Sequence, residues 1–542
     1  MADAEPAPPF ASAAERLGDE PTLRLLQELV GIAPTNLEDL GSGRFEKPNY
    51  RRAAEAIVRW ARRFGLATTV FDPLVDGPSE GLRGIPRPNV IVDLDRGAPE
   101  TVLLLAHYDV VPVPVEQRAR WKSPPHALTL RADGRLYGRG ANDDLGSGIA
   151  GSLLAMRRLA EAESVPRNVR LLACCDEETG GEGGVEAMRA HDDRLPPGSP
   201  ERWIRADVAL IPDGSPHTTV GSSGVAFLEA SRPGPSTLEE VADYAGELVR
   251  LHELARSWRS VYRSPDWPDR GAPEPVLTGR ATVTKLDLDG PANDPAGARL
   301  ATAHAESDAA NQVARSVTLV FDGPAAGLAR LADRLRPWVE PPFRLEAAGP
   351  TALTVPSGAL ALQLIGVATH AGYPHRGHNP VPAALALLAR ATREGAIGPS
   401  AFATARFTVD LRLPPEMELD DGTAQALEHV RRRTAARHPR AELTAPPARC
   451  RPGYALAPDH PTAVRLERLV RANLGEAGVF GEYGGTDASS LRGLRGPSGA
   501  PLPALVFGSM DPSANIHDVD ESADPRLIAG VARTIEQFVL AR

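Results

Sequence analysis

The sequence predicts an α/β chain: a layered sheet assembled from two separated segments, with an α+β domain inserted between them. Three observations predict it. Up to about residue 222, short apolar runs bounded by Gly, Pro or Asp alternate with segments of helical spacing. Near residue 223 the texture changes, and the later segments run strand, helix, strand with period-two alternation. After about residue 450 the first texture returns. The expected organisation is a flexible arm over residues 1–20, a first segment over 21–222, an insert over 223–450 and a closing segment over 451–542.

Taken in order, LRLLQELVGI and YRRAAEAIVRWARRFG read as helices, the second stopped by Gly65. ATTVF, NVIVDL and TVLLLAHYDVV are strands, GSGIAGSLLAMRRLAEA (146–162) is a helix, and NVRLLACC (168–175) and VALIP (208–212) are buried strands. Residues 232–300 are rich in Pro, Gly and Asp and show weak periodicity. Further on, VARSVTLVFDG and FATARFTVDLRLPP read as strands, and GLARLADRLRPWV and PVPAALALLARAT as helices. SVTLVFDGP and RFTVDLRLPP are loosely alike, which suggests an insert of two related halves. HPTAVRLERLVRANLG, PALVFGS and LIAGVARTIEQFVLAR close the chain as helix, strand and helix.

The 542 residues carry a formal net charge of −10, which argues against nucleic acid and anionic membrane surfaces as partners. No apolar run reaches roughly 18 residues, so no transmembrane helix is expected. The first residues, MADAEPAPPFASAAERLG, have neither a basic start nor an apolar core, so no secretory signal is expected there. Three cysteines, two of them adjacent, form no disulfide framework and fit a reducing, cytoplasmic compartment.

The strand LLLAH runs into His107 and Asp109, although a buried strand should avoid unpaired ionisable groups. NVRLLACC runs into Asp176-Glu177-Glu178, and VALIP into Asp213. Open α/β sheets place ligands at such carboxyl ends of strands. GRGANDDLGSG (138–148) adds Asp143 in a Gly-rich turn before a helix, where Asp144 serves as a helix cap. SANIHDVDE adds His517. Adjacent carboxylates repel each other unless a cation sits between them or one is held protonated. The His, Asp, Glu, Asp and His set suits zinc or another borderline divalent ion, and two ions sharing a carboxylate would activate water and polarise a carbonyl.

These stretches, together with Trp121 and the downstream GRGANDD, DEETGG, PDGS, GGTDA and NIHDVDE, resemble the dinuclear-zinc aminoacylase, carboxypeptidase and dipeptidase family. That family includes succinyl-diaminopimelate desuccinylase, acetylornithine deacetylase, carnosinase and the glutamate carboxypeptidases. The resemblance implies a three-layer zinc-peptidase-like catalytic domain with an enlarged α+β lid and dimerisation domain inserted in it. It implies two zinc ions, with cobalt or manganese as alternatives. Asp143 would bridge them, His107 and Asp213 would complete one site, and Glu178 and His517 the other. Glu177 would be the general base, and Asp109 would orient His107 by accepting its other ring N–H. In the lid, GVATHAGYPHRGHNP resembles the family's stretch carrying an oxyanion-stabilising histidine, here His370, and the resemblance makes Asn379, Arg412, Gly485 and Thr486 substrate contacts. A homodimer through the lid is implied as well. Two departures stand out: Leu145 replaces the family's usual Lys, and residues 232–345 match no familiar pattern.

The expected reaction is hydrolysis of an amide or peptide bond in a small substrate. Relatives acting on peptides with a free amino end tend to carry Asp at the position of Asp213, and deacylases tend to carry Glu, so the resemblance favours a dipeptidase or aminopeptidase-like enzyme. The alternatives are an N-acyl-amino-acid amidohydrolase and the same site running amide formation. A metal-binding homologue without activity has no need to keep Glu177 beside Glu178. A cysteine hydrolase is disfavoured because Cys174 and Cys175 lie within a strand.

Overall fold

The structure is a computed structural model describing residues 10–35, 49–76, 85–113, 115–196, 199, 201–264, 276–289, 298–306, 312–348, 355–371 and 377–541. The chain divides into two units, each with its own sheet. The first takes the described residues up to Val220, then Leu456–Phe480 and everything from Thr486 onward. The second takes Gly221–Ala455 and the strip Gly481–Gly485, so the return crossing lies a few residues beyond the expected 450.

In the first unit the sheet order is Ala67–Phe71, Asn89–Leu94, Asn168–Cys174, Thr101–His107, Val208–Ile211, Ala504–Val506 and the strand beginning at Thr218. The four strands in the middle are parallel neighbours, and the outer pairings are antiparallel. Parallel strands buried on both faces read as continuous apolar runs, as Val102–Ala106 and Leu171–Cys174 do. Helices Glu20–Ile32 and Pro525–Leu540 bury Leu and Ile faces, and Asp19 and Asp524 cap their first turns. Residues 11–17, expected in a flexible arm, form a helix that buries Ala13 and Leu17.

The stretch expected as one helix over 146–162 is wider at its start. Asp143–Gly151 form a π-helix, and an α-helix follows over Ser152–Glu161. Gly148 makes the wide turn possible: a Cβ there would come within 2.7 Å of the Asp143 carbonyl oxygen and 3.4 Å of the Ala106 Cβ. Such turns concentrate at functional sites.

In the second unit one antiparallel sheet runs Arg344–Ala347, Leu360–Ile365, Ser316–Asp322, Arg299–Glu306, Arg280–Asp289, Ala401–Leu413, Gly224–Thr237 and Glu442–Thr444. Helices Leu238–Ser257, Ala325–Leu335, Pro380–Arg393 and Leu419–Thr434 pack with it around one apolar core. The two look-alike segments are both strands of this sheet, and each is followed by one of those helices. The weakly periodic stretch after residue 232 contains the 20-residue helix Leu238–Ser257. Its signal was legible: Thr237 and Glu240 form a complete capping box at its start.

Candidate metal centre

Three neighbouring parallel strands of the first unit lead to ionisable residues at the same end of the sheet. His107 closes Thr101–His107, Asp213 follows Val208–Ile211, and Glu177 and Glu178 follow Asn168–Cys174 in a short 3₁₀ turn. His107 is buried. Its Nδ1 donates to the main-chain oxygen of Asp109 at 2.9 Å, which leaves Nε2 facing Asp213 at 3.1 Å and Asp144 at 3.7 Å. Ligand atoms of His107, Asp144 and Asp213 all lie within 4.8 Å of one another. Close by, His517 Nε2 stands 2.9 Å from Glu178 Oε1.

One sequence expectation changes here. Asp144 does not cap a helix: Asn142 precedes the π-helix, and Asp144 lies inside it, with its carboxylate turned to His107. Asp143, expected as the bridging ligand, lies outside the close His107 cluster, yet it is buried and its Oδ1 accepts no hydrogen bond among the described residues. Asp109 also does more than orient a histidine. The nearer acceptor for His107 is the Asp109 carbonyl, with carboxylate Oδ1 at 3.4 Å. The two carboxylate oxygens instead accept the main-chain N–H groups of Glu177 at 3.1 Å and Glu178 at 3.2 Å.

The charges show what the pocket lacks. Burial, then the Asp213 and Glu521 carboxylates, push Asp143 well above the usual carboxyl range. Burial also pushes Asp144 up, against the pull of His107. Burial works against the charged form of both histidines, but Asp213 and Asp144 raise His107 well above its ordinary value, and Glu178 raises His517 to about 9. Five acidic groups thus converge with two histidines and one buried guanidinium, Arg139, which is bound to Glu521. Such an excess of acceptors over cations suits divalent metal, and the orphaned Asp143 oxygen is the kind of group an ion satisfies.

Glu521 and Arg139 escaped the sequence reading, although both lie inside quoted motifs. Glu521 accepts from the Gly140 N–H at 2.8 Å, and the Gly138 N–H donates to its carbonyl at 3.1 Å. The Gly-rich turn and the His517 loop are therefore stitched together. That loop holds Asn515, His517 and Asp520 at positive φ, a conformation that persists only where surrounding contacts enforce it.

The residues expected to contact oxyanion and substrate fare differently. The side chain of His370 lies outside the described residues; its main chain pairs with Gln312. Arg412 is committed elsewhere: Nε and Nη2 grip both oxygens of Asp410 at 2.6 and 2.7 Å, and Nη1 donates to the Tyr483 carbonyl at 3.1 Å. Asn379 caps Pro380–Arg393, accepting from Val381 at 3.0 Å while donating to the Val283 carbonyl at 2.8 Å. Thr486 caps the 3₁₀ turn Asp487–Leu491 through the Ala488 N–H. Gly485 belongs to the second unit, and a Cβ on it would meet Val225 at 3.9 Å. Asn379, Arg412 and Thr486 thus hold local backbone or a neighbouring carboxylate in this structure, because each has a competing partner close in sequence or across a strand. Cys174 and Cys175 are buried, and burial pushes both thiols well above their usual range, which disfavours either as a nucleophile.

Residues 103–541 match the model of peptidase family M20/M25/M40, which is most of the chain. The chain belongs to that family. Among curated members, an uncharacterised metallohydrolase of Methanocaldococcus jannaschii is 26% identical over 223 residues, 40% of this chain and 50% of that protein. The Cys-Gly metallodipeptidase of Schizosaccharomyces pombe is 31% identical over 162 residues, 28% of this chain and 32% of that protein. The chain therefore spans half or less of the length of the curated relatives it matches. Among solved structures, human carnosine dipeptidase 1 has 15% identity and a TM-score of 0.55, covering 98% of this chain and 99% of its own. A family metallo-carboxypeptidase from Sulfolobus solfataricus has 13% identity and the same TM-score, covering 96% of this chain and 98% of its own. At these identities the likeness establishes the fold, with the mixed α/β architecture of the family.

Proposed function

We propose that the chain hydrolyses a peptide or related amide bond in a small substrate, using two divalent ions, with a dipeptide carrying a free amino end as the substrate class. The observation that carries this reading is the pairing of two His–carboxylate groups, His107 with Asp144 and Asp213, and His517 with Glu178, at one end of one sheet. Zinc is the default ion for such donors, with cobalt and manganese as alternatives. A bound pair would lower the pKa of a water and polarise the scissile carbonyl. Glu177 is the general base: it takes the proton from the attacking water and delivers it to the leaving amine nitrogen. Its main chain is fixed by Asp109, so the carboxylate issues from a pinned corner. His370 would stabilise the oxyanion from the inserted domain, which would also carry a homodimer contact.

The named dipeptidases among the relatives support the substrate class, as does Asp213, short enough to leave room for a substrate ammonium. A second reading, removal of an acyl group from an amino acid, is favoured by a succinyl-diaminopimelate desuccinylase of Acidovorax ebreus, 42% identical over 106 residues. Three free cysteines, two of them buried, support a cytoplasmic location, and among the described residues no helix is long and apolar enough to cross a membrane.

The deciding experiment is metal content of the purified chain, then hydrolysis of free-amine dipeptides, β-alanyl dipeptides and N-acyl amino acids after zinc, cobalt or manganese is restored. Two ions per chain with cleavage of free-amine substrates alone is the expected result. Cleavage of acylated amino acids alone would install the second reading, and a chain that binds no metal would remove both. Glu177→Gln should keep the ions and lose about 10²–10⁴-fold in turnover; a variant as fast as the parent would take Glu177 out of the mechanism.

A further inference from the structure

The corner that carries Glu177 and Glu178 is held from outside as well as from within. Asp176, just before the pair, is a non-glycine residue in the left-handed region at φ +62°. Its main-chain oxygen accepts from Gly181 at 2.5 Å, which turns the loop back on itself. Its carboxylate is met by the Arg87 guanidinium through Nε, and the two residues are only 2% and 5% exposed. Arg87 comes from the segment leading into strand Asn89–Leu94, far away in sequence.

The rest of that segment grips the same loop. Asn89 Oδ1 accepts from the Cys175 N–H at 3.2 Å, and its Nδ2 donates to the Gly183 carbonyl at 2.9 Å. The Pro88 carbonyl accepts from the Tyr108 hydroxyl at 2.6 Å. Gly183 leaves the space that the arginine stem occupies: a Cβ there would lie 1.9 Å from Arg87 Cδ. On the inner side Asp109, fully buried, accepts the N–H groups of Glu177 and Glu178. Two buried carboxylates, Asp109 and Asp176, therefore flank the corner within electrostatic reach of each other, and Arg87 is the cation beside them. A buried acid without such a partner would shift the backbone it anchors or draw in water.

We propose that Arg87 is a positioning residue for the metal centre: through its buried ion pair with Asp176 it fixes the left-handed corner that aims Glu177 at the attacking water and Glu178 at the metal. This rests on the roles proposed above for Glu177 and Glu178. Arg87 touches neither substrate nor ion in this role; it acts through Asp176.

The test uses the full chain with Arg87→Met, Arg87→Lys, Asp176→Asn and the double variant Arg87→Met/Asp176→Asn. The readouts are kcat and KM at saturating zinc, zinc affinity against a competing chelator, and the folded fraction. Arg87→Met should weaken zinc binding and lower kcat, each by about 10–100-fold, with KM changed less than about threefold. Arg87→Lys, which keeps the charge, should fall between Met and the parent. The double variant, which removes both charges of the ion pair, should recover part of what Arg87→Met loses. Parent-like kcat and zinc affinity in folded Arg87→Met would overturn the proposal, and so would a loss matched entirely by a lower folded fraction. If Arg87→Met does not fold, Asp176→Asn decides: the side chain keeps its shape, and parent-like kcat and zinc affinity in that variant overturn the proposal equally. Glu177→Gln run in parallel separates the two readings. If it keeps parent turnover, the general-base role fails, while zinc affinity still judges Arg87.

Discussion

At the scale of single residues, the neighbouring acids Asp143 and Asp144 pose the sharpest question. The motif resemblance makes Asp143 the bridge, whereas the geometry puts Asp144 beside His107 and Asp213. Asp143 keeps a buried oxygen with no hydrogen bond among the described residues and lies within electrostatic reach of both Asp213 and His517. One carboxylate serving two ions should cost both when it is removed, whereas a ligand to one ion should cost one. Asp143→Ala is therefore expected to retain no metal, and Asp144→Ala to retain one ion per chain, by elemental analysis after dialysis. The reverse pattern would make Asp144 the bridge. Asp109 shows how a single side chain is over-committed: it reaches His107 and both amides of the acidic pair, so its loss would disturb both halves of the centre together.

At the scale of elements, a helix in the first unit departs from ordinary helix rules and one in the second unit follows them. The π-helix over Asp143–Gly151 spends glycines at 146, 148 and 151 to bring acidic groups against a strand end, a placement that a tighter helix would not give the same residues. The helix Leu238–Ser257 is ordinary in its interior and depends on its start. Thr237 accepts from the Glu240 N–H at 3.3 Å, and the Glu240 carboxylate accepts from the Thr237 N–H at 2.8 Å. Thr237→Ala should cost about 1 kcal/mol in denaturant unfolding, with little change in metal content, because the helix lies in the second unit and the metal groups in the first. An unchanged midpoint would mean that the capping box contributes nothing.

At the scale of the whole molecule, the metal groups come from segments as distant as His107 and His517, and the sheet and the stitched loop bring them together. An ion that binds only the folded arrangement stabilises it by mass action, about 2.7 kcal/mol at a hundredfold excess over Kd. Zinc added to chelator-treated protein should therefore raise the melting temperature in a concentration-dependent way. That rise should shrink in Asp143→Ala. A melting temperature indifferent to zinc would argue against a preformed centre in the native state.

Much of this protein was legible in the chain itself. Apolar runs and helical spacing marked the parallel strands and most helices, because burial on both faces imposes continuous apolar sequence and one-sided packing imposes a 3.6-residue period. The motifs ending in His107, Glu177, Glu178, Asp213 and His517 were visible because acids and histidines at the ends of buried strands are costly unless something holds them. Tertiary structure alone decided the partners. Spacing does not say that Arg412 also reaches the Tyr483 carbonyl, that Asn379 donates to the Val283 carbonyl, or that Asp144 lies inside the helix facing His107, since each depends on which groups meet across strands and turns. The same holds for Arg139 with Glu521 and Arg87 with Asp176: a buried ion pair is a matter of distance in space, and local sequence carries no record of it.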